Sequence, residues 1–409
     1  MDDELIVIVG GGRAAASLVE SYRDAGGEGF VTILSRDSTP PYNRPPLSKG
    51  FLRGEMEADG VLAFPRDYYE ERVVDLRLGC TVAGVDLEGG TVTLEDGETV
   101  GFTKLVIAAG ASPRRLDVPG ADLPDVHTYR TLADAAAVRD AADGARKALV
   151  VGGSFIGAEV AASLRARGLE VTLVELGDRL MPALGSAGLS DELLELYRSH
   201  GVEVLLGESI TELTANGRSL TGALTDSGRR LEAFLVVVGV GVVPNVEVLE
   251  GSGIEIDDGI VVDGRFRTSA PGVYAVGDVA RYPDPISGRL RRVEHWSGAD
   301  AQGAHLGRVL AGARAPYAEV PAFFTQLFGV KLQVLGDVEG ADDFVQRGSI
   351  AEGRLLGFYL REGHLVGAVL SGQNADVAEE LRSLLSETQG EPDRVLLANE
   401  AVRPAAAFA

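Results

Sequence analysis

Cysteine is almost missing from this 409-residue sequence: Cys80 stands alone. A single thiol excludes an intramolecular disulfide and any Cys-x-x-Cys redox pair. Tryptophan also occurs once, and only four of the 38 basic residues are lysine. Long apolar runs are lacking. Residues 234–243 form the longest, broken by two glycines, and they fall far short of the ~20 residues that span a bilayer. No membrane span is therefore expected. Positive charge is in deficit, 38 basic residues against 61 acidic ones, for a net charge of −23. Nucleic acid and anionic lipid would both be repelled, and neither is expected as a partner. The opening Met-Asp-Asp-Glu is the opposite of a basic signal or transit peptide. Together with the lone thiol it points to a cytoplasmic setting.

What is plentiful is apolar side chain and glycine. Hydrophobic residues make up 45% of the chain, enough for several cores and inconsistent with disorder as the main state. At ~150 residues per domain the length suggests two to four domains. Glycine contributes 53 residues, nearly twice the usage of roughly 7%, with no collagen period and no Gly/Ser tract. The excess is expected in turns and phosphate-binding loops.

Leu-Ile-Val-Ile-Val at residues 5–9 reads as a buried parallel strand. Gly10-Gly11-Gly12, a helical pattern over 13–24 and a second strand at 30–34 complete a βαβ unit. The arrangement recurs with a strand at 147–151, a glycine turn at 152–157, a helix at 158–167 and a strand at 170–174. Short alternating strands lie between the two units, with a hairpin turn at Asp96-Gly97, and again after the second. Strands at 331–335, 356–361 and 365–370, then a helix at 376–385, suggest an antiparallel α+β domain at the end.

Gly10-x-Gly12-x-x-Ala15 follows a strand and opens a helix, the context in which a dinucleotide fingerprint counts. The first glycine permits the tight turn, and the second lets a pyrophosphate approach the backbone. The small third residue brings helix and strand together. Such folds usually end the second strand on an acid that holds the ribose. Here the strand runs into Ser35-Arg36-Asp37, so either Asp37 reaches back or the ribose is held otherwise. The second loop reads Gly152-Gly153-Ser154-Phe155-Ile156-Gly157, and its next strand ends on Glu175, 18 residues after Gly157. A carboxylate there accepts from a ribose 2′-OH and repels a 2′-phosphate, favouring NADH over NADPH, although Arg179 lies close by.

Two dinucleotide loops suggest a flavoprotein reductase, and the intervening Pro41-Tyr42-Asn43-Arg44-Pro45-Pro46-Leu47-Ser48-Lys49 resembles the PYxRPPLSK segment of oxygenase-coupled ferredoxin reductases of the putidaredoxin reductase type. Further similar stretches are Leu105 to Gly110, Tyr129 to Asp134, Gly241 to Asn245, Thr268 to Asp278 and Glu294-His295-Trp296. The resemblance covers residues 5–370. It implies the glutathione-reductase-like α/β fold: two Rossmann-like dinucleotide-binding domains plus a C-terminal α+β domain. The expected boundaries are 1–112 and 240–318 for a two-part FAD domain, 113–239 for the NAD domain and 319–409 for the last.

By the same resemblance FAD rests on Gly10, Gly12 and Ala14, with Arg44, Lys49, Val82, Arg130, Asp278 and Trp296 lining its site, and Asp37, from its place after the second strand, is the candidate ribose acid. NADH uses Gly152, Gly157, Glu159, Glu175 and Gly241. Lys49 and Glu159 are the candidate catalytic residues. Elementary chemistry agrees, since a compact ammonium beside the flavin edge stabilises the reduced ring, and a carboxylate limits the cost of burying it. One departure lies in the tail, where Pro321-Ala322-Phe323-Phe324-Thr325-Gln326-Leu327-Phe328-Gly329 stands for PxFWSxQYG and Phe324 replaces the tryptophan.

Residues 42–49 hold no cysteine, which excludes the thiol chemistry of the disulfide-reductase branch. Electron transfer is left, with NADH giving a hydride to the flavin and a [2Fe-2S] ferredoxin or rubredoxin-like protein taking single electrons, and a downstream oxygenase system as a further candidate partner. The alternatives are an apoptosis-inducing-factor-like NADH sensor and a hydrogen-peroxide-forming NADH oxidase. No metal site is expected in the chain itself. Arg289, Arg291 and Arg292 form a candidate basic patch for an acidic partner.

Overall fold

A computed structural model describes residues 4–387 and 390–408; Met1, Asp2 and Asp3, read above against a leader, lie outside them. Contacts divide the chain into two units. The first comprises Met1–Asn43, Val61–Ser112 and Val243–Pro321, and the second Arg44–Gly60, Pro113–Val242 and Ala322–Ala409. Residues 44–60, expected within the FAD segment, thus belong by contact to the second unit.

The first third of the chain contributes β1 (Leu5–Val9), α1 (Arg13–Asp24), β2 (Phe30–Ser35), β3 (Val74–Leu78) and β4 (Lys104–Ile107). The middle contributes β5 (Val126–Thr128), β6 (Lys147–Val151), α2 (Phe155–Ala166), β7 (Glu170–Glu175), α3 (Ala187–Ser199), β8 (Val202–Leu206) and β9 (Leu235–Val238). The last third adds β10 (Val273–Ala275), α4 (Trp296–Leu310), β11 (Ala322–Leu327), β12 (Val330–Gly336), β13 (Asp343–Ser349), β14 (Arg354–Arg361), β15 (His364–Ser371) and α5 (Ala375–Ser386).

In the first unit the sheet runs β10-β4-β1-β2-β3, all parallel. A parallel sheet covered on both faces buries every residue, so β1 shows no alternation. Ile6, Val7 and Ile8 are almost wholly buried, as are Leu18, Val19 and Tyr22 of α1 and Leu306 of α4. Val9 pairs with both Leu34 and Ile107, so three strands end level where the first glycine loop departs. The expected hairpin is a three-stranded antiparallel meander, Val82–Asp86, Thr91–Leu94 and Thr99–Gly101.

The second unit repeats the plan with a parallel sheet β8-β7-β6-β9-β5. It also holds the antiparallel sheet β11-β12-β15-β14-β13, on which α5 packs. The central strands β14 and β15 are buried on both faces rather than alternating. Helix α2 starts at Phe155, three residues before the expected position. Gly157 therefore lies inside the helix, where any Cβ would fall 1.9 Å from the Gly152 carbonyl oxygen. That contact is the close helix-to-loop packing for which the third small residue of the fingerprint is needed.

Candidate functional site

The first loop fits a dinucleotide. Gly10 has φ +116°, and a Cβ on it would meet the Ala108 carbonyl oxygen at 2.2 Å, so only glycine closes this turn. Gly12 differs. Its backbone is extended, and a Cβ there would meet nothing within 4 Å. Gly12 caps α1 with no side-chain hydrogen bond and no acid in the first turn. No side chain covers the helix start at Gly12, and the helix dipole favours an anion there. Ala14 is buried, and its Cβ lies 3.4 Å from where a Cβ on Gly277 would stand. This brings the Gly277-Asp278 turn against the start of α1. Asp278 is buried, and the Gly277 amide donates to Gln302 Oε1 at 2.8 Å.

Asp37 has commitments of its own. Oδ1 accepts from the Thr39 amide at 3.0 Å and Oδ2 from the Tyr42 hydroxyl at 2.8 Å. Both oxygens are held in the turn after β2, while Arg36 is exposed. Val82 is half-buried at the edge of the meander. Trp296 opens α4 and donates from Nε1 to Asn43 Oδ1 at 3.0 Å.

The arginine patch is not free charge. Arg291 lies 3.4 Å from Asp284, whose side chain is fully buried, and Arg292 pairs with Asp258 and Glu294. Two of the three proposed docking cations are therefore neutralised by neighbours, which corrects the expectation of a basic patch. The adjacent His295 precedes α4, where desolvation pushes its pKa down to about 4, so it is neutral and unsuited as a charged contact. The unfolded chain binds a proton near pH 6.5, before the folded protein does, so stability falls as pH drops from 6.5 towards about 4. His295→Asn should flatten that part of the acid profile, as read from urea midpoints between neutral pH and about pH 5.

In the second unit the loop after β6 has the same build. Gly152 has φ +106°, and its Cβ would meet the Gly239 carbonyl oxygen at 2.3 Å. Ser154 caps α2 without a side-chain bond of its own to the helix. Glu175, at the end of β7, accepts from the Gly153 amide at 2.5 Å and the Gly177 amide at 2.7 Å. The carboxylate is thereby fixed beside the loop. Gly241 is exposed at φ +92°, and its carbonyl accepts from the Arg114 amide at 2.9 Å.

Lys49 and Glu159 meet in the interior of this unit. Lys49 lies in a short π-type turn, Leu47–Phe51, with its own backbone bent out of helical geometry (φ −123°, ψ −110°). Such turns concentrate at functional sites. The ammonium stands 2.6 Å from Glu159 Oε2 and donates to the Pro45 carbonyl at 3.1 Å, and the two side chains are only 9% and 5% exposed. Two hydroxyls complete the arrangement. Ser48 donates to Oε2 at 2.5 Å, and Thr325, from β11, donates to Oε1 at 2.7 Å. The turn is further tied to α2 by Ser163 Oγ on the Ser48 carbonyl (2.6 Å) and to the end of β5 by Tyr129 Oη on the Leu47 carbonyl (2.6 Å). Arg130 lies next to Tyr129, its amide donating to Asp134 Oδ2 at 3.1 Å, and Arg44 stands half-buried at the head of the segment.

Sequence reasoning missed both hydroxyls. Thr325 is 166 residues from Glu159, beyond any local periodicity. Its one signal is that a hydroxyl is kept where the family segment has serine. Phe324 is 37% exposed and lies beneath two of the four lysines, with Lys49 Nζ 5.7 Å and Lys331 Nζ 4.9 Å from its ring centre. Phe323 and Phe328 pack instead, against Phe155 and against Tyr197 and His200. Cys80, in the first unit, is half-buried with its thiol on the Arg77 carbonyl. Among the described residues no group of acids, histidines and cysteine is placed to hold a metal.

Residues 5–303 match the family model for pyridine nucleotide-disulphide oxidoreductases, and residues 323–406 match that of the reductase C-terminal domain. The chain is 38% identical to the ferredoxin–NAD(+) reductase component of a p-cumate 2,3-dioxygenase system from Pseudomonas putida, over 82% of either sequence. It is similar to a ferredoxin reductase from Rhodopseudomonas palustris at a TM-score of 0.94 and 32% identity, covering 100% of both chains. A chain of the covalent putidaredoxin reductase–putidaredoxin complex aligns at a TM-score of 0.94 with 28% identity, over 99% of both.

Proposed function

The chain belongs to the pyridine nucleotide-disulphide oxidoreductase family, and from that premise we propose that it is an FAD-dependent reductase that takes reducing equivalents from NADH and delivers them singly to a [2Fe-2S] ferredoxin. The observation that carries this reading is the buried Lys49–Glu159 pair in a chain with no second cysteine. Relatives named as ferredoxin reductases of oxygenase systems support the choice of acceptor. We place the protein in the cytoplasm. No helix among the described residues is long and apolar enough to cross a membrane.

When bound, FAD supplies what the side chains lack, the conversion of a two-electron donor into single-electron output. Gly10, Gly12 and Ala14 are assigned to hold its pyrophosphate through the amides at the start of α1, and Asp37, Arg44, Lys49, Val82, Arg130, Asp278 and Trp296 are the further residues assigned to it. NADH is assigned to Gly152, Gly157, Glu175 and Gly241, with Glu159 toward the nicotinamide.

In this reading Lys49 holds a fixed positive charge where negative charge develops, and Glu159 keeps that charge tolerable in a dry interior. Ser48 and Thr325 each hold one carboxylate oxygen, so Glu159 keeps one orientation. Thr325→Val should free Oε1 and lower the rate of flavin reduction by roughly tenfold, with NADH affinity little changed, as read from the concentration dependence in stopped-flow. Glu175→Ala should raise the KM for NADH about tenfold with kcat nearly unchanged, since ribose binding is uniform to ground and transition states. Steady-state ferricyanide reduction checks this. Preference for NADPH over NADH in the unmodified protein would contradict the assignment of Glu175.

A further inference from the structure

Arg13 follows Gly12 and opens α1, and nothing so far gives it a role. Its side chain is 16% exposed, and Nε donates to Asp300 Oδ1 at 2.8 Å. Ser17, one helical turn later, donates to the same oxygen at 2.5 Å. Two donors on one face of α1 thus converge on one carboxylate of α4. The helices are pressed together where they cross, since a Cβ on Gly303 would fall 2.2 Å from the Ala14 carbonyl oxygen and one on Gly307 would fall 2.5 Å from that of Leu18. The carboxylate therefore has little freedom to drift.

The guanidinium so anchored lies between two aromatic rings, 5.6 Å from the centre of Phe64 and 5.3 Å from that of Trp296. Phe64 is itself fixed, stacked at 3.9 Å on Tyr68, whose ring lies 3.6 Å from the Arg72 guanidinium. Trp296 also donates from Nε1 to Asn43 Oδ1. A planar cation suits this slot. It stacks on aromatic faces and keeps its charge at every accessible pH.

We propose that Arg13, anchored by Asp300, is the positioning residue of Trp296, so that FAD meets a preformed indole wall rather than a mobile ring. The proposal rests on the assignment of Trp296 to the flavin site. It links the residue after the glycine fingerprint, through one ion pair, to a side chain 283 positions away in the same unit.

Trp296 is the only tryptophan, so emission excited at the red edge of the indole band, where the tyrosines do not absorb, reports on this ring alone. Three variants separate the roles: Arg13→Gln removes the cation, Arg13→Lys keeps it, and Ser17→Ala removes the other donor to Asp300. Each is measured with FAD stripped, by acrylamide quenching, and then by FAD titration. Arg13→Gln should raise the quenching constant about threefold and weaken FAD binding about tenfold. Arg13→Lys should recover most of both, and Ser17→Ala should change neither by as much as Arg13→Gln. Should Arg13→Gln fail to fold, Asp300→Asn is expected to move quenching and FAD affinity in the same direction. Quenching unchanged in Arg13→Gln, or equally disturbed in Arg13→Lys, overturns the proposal. If the unmodified chain binds no FAD at all, the flavin assignment fails, while the quenching series still decides whether Arg13 holds the ring.

Discussion

Replacing Lys49 with methionine should slow reduction of the bound flavin by NADH roughly 100- to 1000-fold, the usual loss when a preorganised charge is removed from a reacting centre. The variant should also be less stable by about 3–5 kcal/mol, because Glu159 is left buried without its counter-ion. These consequences can be separated. In a Lys49→Met/Glu159→Leu double variant the orphaned carboxylate is gone, so much of the stability should return while the rate stays low. Ser48 and Thr325 would then face an apolar side chain, and recovery should be incomplete by the cost of two unpaired hydroxyls, about 1–3 kcal/mol each. Stopped-flow at the flavin absorbance and urea unfolding give both numbers. A single variant that reacts within threefold of the parent would remove the pair from the reaction, leaving it a packing feature of the second unit.

The second large effect is expected at Gly12. Its backbone, φ −92° and ψ −170°, suits any residue, and a Cβ would touch no part of the polypeptide. Gly12→Ala should therefore fold with an unfolding midpoint close to the parent's. Its FAD affinity should fall about 100-fold, because the new methyl occupies the space through which a pyrophosphate reaches the amides of α1. Gly10→Ala is the contrasting case. There the methyl would collide with the Ala108 backbone at a positive φ, so fold and flavin should be lost together. Parallel circular dichroism and flavin absorbance on the two variants distinguish a binding defect from a folding defect. A yellow, tightly flavinylated Gly12→Ala protein would contradict the assignment of this loop to FAD.

The parts of the fold legible in the sequence are those governed by local rules. The unbroken β-branched runs of β1 and β6 announce strands buried on both faces, and the glycine turns after them announce helix N-termini. Helix α2 begins three residues before the sequence pattern predicts, because Gly157 looks like part of a turn. It is a helical residue whose missing Cβ serves a contact with Gly152. Helix α3 has Leu189, Leu193 and Tyr197 buried at helical spacing, a pattern present in the sequence but carrying no chemistry to draw notice. The site divides along the same line. Lys49, Glu159 and Glu175 stand out through motif and position. Thr325 and the Arg13–Asp300 bracket join residues far apart in sequence, and only tertiary packing brings them together.

Charge is the other lesson. Arg289, Arg291 and Arg292 look basic in a sequence of net charge −23, yet Arg291 and Arg292 are matched by Asp284, Asp258 and Glu294. A cluster of like residues predicts a patch only when its neighbours leave it unpaired. Long-range steering of an acidic ferredoxin to so acidic a reductase is unfavourable. Association should therefore depend on contacts at short range, and turnover with an acidic ferredoxin should rise as salt screens the repulsion.

The central claim is tested most directly by mixing the purified flavoprotein with NADH under anaerobic conditions and then with a [2Fe-2S] ferredoxin, following flavin and iron–sulfur absorbance together. The account predicts rapid bleaching of the flavin by NADH, followed by reduction of two ferredoxins for each NADH consumed. A flavin that NADH reduces slowly into a long-lived complex, with no electrons reaching the ferredoxin, would contradict it and favour an NADH-responsive binding protein.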